Sequence, residues 1–129
     1  MYLRFVTIWL DDDSHMPAGI FTAAYLLDGD DELPDYARAM LVEILAWFDR
    51  HLVAPHTFSR SPRAYGRNIG LCWFKDTARQ HVERAFELMA LLEDNNIFIE
   101  VVTADRPGFV VYEDDHQIVA EPPRYVRSF

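Results

Sequence analysis

Ile69-Gly70-Leu71-Cys72-Trp73-Phe74 is a continuous apolar run, and the residues after it decide the fold. A short run without polar alternation suits a strand covered on both faces. Lys75-Asp76-Thr77 interrupts it, with Asp76 in place to cap a helix N-terminus. Residues 77–94 then carry Ala78, Val82, Ala85, Phe86, Met89 and Leu92 at three- and four-residue steps, the spacing of one helical face. Asn95-Asn96 closes that helix, because Asn tolerates the left-handed cap conformation. Ile97 to Thr103 reads as a second strand of the same type, buried on both faces. Strand, helix and strand in sequence form a βαβ unit, which predicts parallel pairing through a right-handed crossover.

Upstream, residues 34–53 give the strongest helical pattern, with Ala37, Met40, Leu41, Ile44, Phe48 and Leu52 on one face and Trp47 widening it. Pro34 suits its first position, and Pro55 cannot continue it. Residues 2–10 read as a strand and Asp11 to Pro17 as a polar loop. Residues 18–27 fit either a short helix or a strand, with the alanines favouring helix. Downstream, Arg106-Pro107-Gly108 fits a type II turn, Phe109 to Glu113 a strand, and Gln117 to Glu121 its return. The predicted architecture is a single α/β (α+β) domain over residues 1–129. It has a mixed sheet of about five strands, a βαβ unit, a C-terminal β-meander and two long helices packed on the sheet.

The 129 residues are 50% apolar and 14% aromatic, enough to bury a core, which excludes a disordered chain. No apolar run approaches the ~18–20 residues of a membrane span. The N-terminal run ends at Asp11-Asp12-Asp13 without a signal-peptide pattern, and the single Cys72 excludes an internal disulfide framework and suits a reducing interior. The expected location is cytoplasmic.

The net charge of −9 is unevenly spread. Residues 1–49 carry −8, residues 50–84 carry +5, and residues 85–129 carry −6. An acidic protein with one basic middle is not a general nucleic-acid binder. It is compatible with a local anion site, or with pairing between the middle and the acidic ends.

The anion reading centres on the loop 54–68, which brings Arg60, Arg63 and Arg67 to the first strand of the βαβ unit. That strand ends at Trp73-Phe74-Lys75, and Arg79 lies one turn into the helix. Ligands of open α/β sheets gather beyond strand carboxyl ends, where a helix N-terminus favours negative charge. The candidate ligand-binding residues are therefore Arg60, Arg63, Arg67, Trp73, Lys75 and Arg79, for a small phosphate-bearing ligand with Trp73 or Tyr65 stacking on a base. No phosphate-binding glycine fingerprint accompanies them. The bland alternative is a basic surface loop with Trp73 in the core.

Two acidic–histidine stretches, Asp11-Asp12-Asp13-Ser14-His15 and Glu113-Asp114-Asp115-His116, contain metal-ligand types. They match no ligand spacing and read as solvated turns. His51 suits the C-terminal end of its helix dipole, and His81 reads as a surface or half-buried helix residue. Cys72, mid-strand among apolar neighbours, reads as an inert thiol. No catalytic residue, metal or cofactor is expected.

The run Cys72-Trp73-Phe74-Lys75-Asp76, with Arg106-Pro107-Gly108-Phe109-Val110-Val111-Tyr112-Glu113-Asp114 and Gln117-Ile118-Val119-Ala120-Glu121-Pro122, resembles a group of small bacterial proteins to which no activity is attached. The resemblance implies a bacterial, cytoplasmic setting and carries over no catalytic residue. The function expected is that of a small binding or interaction protein. A homodimer or another protein partner is expected, with Phe58, Tyr65 and Tyr125 as candidate anchors of the homodimer contact. The alternatives are phosphate or nucleic-acid-end binding through residues 60–79, and an acidic nucleic-acid mimic using Asp11 to Asp13, Asp28 to Glu32 and Glu113 to Asp115.

Overall fold

The computed structural model describes residues 1–10, 16–54 and 70–122. In chain order the elements are β1 (Tyr2–Leu10), β2 (Pro17–Gly19), α1 (Ile20–Asp28), α2 (Asp35–His51), β3 (Leu71–Lys75), α3 (Arg79–Asp94), β4 (Glu100–Ala104), β5 (Phe109–Glu113) and β6 (Gln117–Glu121). Among the described residues the fold is α+β, with three helices and a six-stranded sheet. The ambiguous stretch at 18–27 resolves into the three-residue β2 running straight into helix α1.

Among the described residues every strand pair is antiparallel, which corrects the expected mixed sheet and parallel βαβ pairing. The cause is β1. Its Tyr2 pairs with Lys75 of β3 on one edge and with Ala104 of β4 on the other; Leu3 likewise meets Phe74 and Thr103. The crossover β3–α3–β4 therefore spans an intervening strand. Its two ends run the same way, but each is bonded to an antiparallel β1. Further along, β1 also meets β2, with Val6 between Gly19 and Glu100. The sheet continues β1-β3-β6-β5. The expected C-terminal meander is only the hairpin β5–β6, since β4 pairs with β1 and not with β5. As an edge strand, β4 has no fully buried residue, contrary to the two-sided burial read from its composition.

Alternation along the strands assigns their faces. Phe5 and Phe74 point to the helices and join Ala24, Leu41, Ile44, Phe48, Leu88 and Leu92 in the main core. Leu41, Leu88 and Leu92 are fully enclosed, and burying each such side chain contributes about 1.5–3 kcal/mol. Trp73 and Ile118, paired across β3 and β6, point the other way and form a second cluster with Leu71 and Ala120; among the described residues no helix residue belongs to it. The strand 71–75 is thus covered on both faces, as its composition implied.

Local details depart from expectation in three places. Helix α3 begins at Arg79 without a side-chain cap, and Asp76 instead lies 3.7 Å from the Met1 amino group. The buried stripe of α3 is His81, Ala85, Leu88, Leu91 and Leu92, rotated from the predicted one so that Phe86 is 46% exposed. Gly108 stands at φ +146°, away from the φ near +80° of a type II turn. Glycine is required there by close approach, because a Cβ would lie 1.8 Å from the Glu121 carbonyl oxygen. The left-handed Asn96, at φ 66°, does end α3 as expected.

Candidate functional site

Helices α1 and α2 do not close completely over the β3–β6 part of the sheet. Between them lies a cavity of about 360 Å³. Phe21 and Tyr25 of α1, Leu45 and Phe48 of α2, and Val119 of β6 wall it, with Phe21 and Phe48 packed edge-to-face at 4.9 Å. Leu52, Val53 and Ala54, where α2 runs out, border it; Cys72 and Gln117 supply its inner polar atoms, and Asp49 stands exposed at the rim. Cavities of this size with mainly apolar walls and a few polar groups are the usual form of a small-molecule site.

The inner polar atoms are held by one network. The Cys72 thiol donates to Gln117 Oε1 at 2.9 Å. Gln117 Nε2 donates to the Val53 carbonyl at 2.7 Å and to Asp114 Oδ2 at 3.1 Å. Asp114 also accepts from the Tyr112 hydroxyl and from the backbone N–H groups of His116 and Gln117. Burial alone would raise the Asp114 pKa, but these donors outweigh it and hold the carboxyl below its ordinary value. Burial pushes the Cys72 thiol up to about 12, although Arg4 opposes it. The thiol is therefore protonated at neutral pH and acts as a lining atom.

Beside the cavity, His51 and His81 meet Trp47, and His116 packs on His81. His51 stacks on Trp47 with ring centroids 4.4 Å apart, and its Nδ1–H donates to the Trp47 carbonyl at 2.8 Å. His81 Nε2–H donates to the His51 carbonyl at 2.7 Å, and its ring stacks on His116 at 4.1 Å. The Arg84 guanidinium lies 5.5 Å from the Trp47 ring centroid. A second, more open depression of about 330 Å³ is lined by Asp49, Arg50, His51, Leu52, Val53, Asp114, Asp115 and His116. Among the described residues no three His, Cys, Asp or Glu side chains are grouped to hold a metal ion.

The residues selected from sequence lie elsewhere. Trp73 is buried in the second cluster, on the sheet face opposite the cavity, with its indole Nε1 unpartnered among the described residues. Lys75 shares that face by alternation and is bound to Glu113 Oε2 at 2.6 Å, a hydrogen bond that raises its pKa. Arg79 is exposed at the start of α3, the helix packed on the other face. Arg60, Arg63 and Arg67, with Phe58 and Tyr65, lie outside the described residues, as do Tyr125 and residues 11–15. Trp73 and Lys75 thus share a surface that Arg79 does not join.

Sequence reasoning missed the Gln117–Asp114 network, because a Gln on a strand next to an acidic turn has no distinctive spacing. His81 was open to a better reading: it stands four residues before Ala85 and seven before Leu88, on the stripe that α3 buries, and it is 5% exposed. Arg4 was also passed over. It is 9% exposed, and its guanidinium donates to the Pro17 carbonyl at 2.7 Å and the Cys72 carbonyl at 3.4 Å, joining β1, β2 and β3. In comparisons with known proteins, no family model matches the chain, and no curated protein or solved structure matches it.

Proposed function

We propose that the protein is a binding protein, and that its ligand is a small molecule with an apolar body held between α1, α2 and the β3–β6 part of the sheet. The cavity carries this reading. Its aromatic and aliphatic walls offer a ligand favourable apolar burial. Its inner polar atoms are already satisfied by one another, so an apolar body covers them without leaving a donor stranded. The thiol within it is protonated, and the Asp114 carboxylate behind Gln117 is committed to four hydrogen bonds, which favours binding over chemistry. A cytoplasmic setting forms part of the proposal; among the described residues no helix is long and apolar enough to cross a membrane.

The test is calorimetric titration with 2-naphthylmethanol, a neutral bicyclic probe that the volume accommodates. One saturable site is expected. Leu45→Trp, which fills the cavity from the half-buried α2 side, should abolish binding while leaving the melting transition cooperative. Absence of saturable binding, or equal binding by the filled variant, would overturn the reading.

A further inference from the structure

The ligand's head group can be inferred from the charges and free hydrogen-bonding groups around the cavity, an inference that rests on the binding reading above. We infer that the ligand is an amine: an aromatic or aliphatic body in the cavity, with an ammonium group at the rim facing Asp49.

The inner wall offers nothing to an anion. The Cys72 thiol hydrogen is given to Gln117 Oε1, and the two Gln117 amide hydrogens are given to the Val53 carbonyl and Asp114 Oδ2. A carboxylate or phosphate buried against these atoms would find no free donor there, and an unpaired buried charge is costly. At the rim, Asp49 is the only carboxylate lining the cavity among the described residues, and no Lys, Arg or His lines it there. It also borders the neighbouring depression, where Asp114 and Asp115 add negative charge and Arg50 opposes it.

Two further features favour a cation. The cavity lies where α2 ends, and the C-terminal end of a helix dipole carries partial negative charge. Phe21, Tyr25 and Phe48 present aromatic rings, whose faces attract ammonium groups. The exposed position of Asp49 limits its contribution to that of a surface ion pair, so it discriminates between head groups more than it drives affinity.

The experiment compares three probes on one bicyclic body: 2-naphthylmethylamine, 2-naphthylmethanol and 2-naphthoate, titrated calorimetrically at pH 7.5 in low salt. The amine is expected to bind about fivefold more tightly than the alcohol, and the acid most weakly. Asp49→Asn should bring the amine-to-alcohol ratio to about one, and 0.5 M salt should shrink it in the native protein. Equal binding of amine and alcohol by the native protein, or an unchanged ratio in Asp49→Asn, would overturn the amine inference while leaving the cavity reading standing. Tightest binding by the acid would also overturn it and would direct attention to Arg60, Arg63 and Arg67. Binding of none of the three would remove the cavity reading and this inference together.

Discussion

The imidazole of His81 lies nearly parallel to that of His116, 20° between their planes, although the two residues come from the interior of α3 and the β5–β6 turn. Burial lowers the His81 pKa; the hydrogen bond to the His51 carbonyl opposes this, His116 and His51 add to the lowering, and Asp114 works against it. The groups around it are therefore His51, His116 and Asp114, with Arg84 beyond Trp47.

Acid sensitivity follows from that burial. Because His81 takes up a proton less readily when folded than when unfolded, its contribution is complete above the unfolded value of ~6.5 and is lost as pH falls below it. The melting temperature should fall between pH 7.5 and 5. His81→Phe keeps a ring against His116 but loses the bond to the His51 carbonyl. It should be destabilised by about 1 kcal/mol at pH 7.5 and show a flatter pH profile. An equally steep profile in the variant would assign the acid sensitivity to another group.

Asp114 should act at lower pH. Its carboxyl is held below the ordinary value, so its contribution is present above the unfolded value of ~3.9 and disappears as pH falls through the depressed one. Asp114→Asn sets an amide against donors from Gln117 Nε2 and the Tyr112 hydroxyl. A cost of about 2 kcal/mol is expected in urea unfolding at pH 7, shrinking as pH falls through the depressed native value and the carboxylate takes up its proton.

Gly108→Ala tests the approach of the chain before β5 to the end of β6. With φ at +146° and the Glu121 carbonyl in the place of a Cβ, the backbone must move. The loss should exceed about 2 kcal/mol by urea midpoint, larger than an exposed loop substitution gives.

Cys72 should resist alkylation. With its pKa near 12, iodoacetamide at pH 8 should react at least about a hundredfold more slowly with folded protein than with protein in urea. A naphthyl ligand in the cavity should slow it further, since Cys72 lines that space. Comparable rates in folded and unfolded protein would show a thiol in open contact with solvent.

Much of the fold was legible because local rules governed it. Helix α2 announces itself through Ala37, Leu41, Ile44 and Phe48, all buried at the expected steps, and Asn96 marks the end of α3 through its tolerance of positive φ. The stripe on α3 differs from the expected one, with Leu88 enclosed and Phe86 exposed, because apolarity alone does not say which side meets the sheet. The site was largely illegible. Trp73 and Lys75 were chosen for a strand end expected to lie beside its parallel partner, and β1 occupies that place instead.

By itself the sequence determined the two long helices and most strands, the two-sided burial of residues 71–74 and the protonated state expected of Cys72. These depend on periodicity, propensity and immediate neighbours. Only the tertiary structure decided that β1 sits between β3 and β4, that the sheet is antiparallel, and that His51, His81, His116, Gln117 and Asp114 assemble beside one cavity. Pairing partners and polar networks are set by which distant segments bury their surfaces together, and no local spacing records that choice.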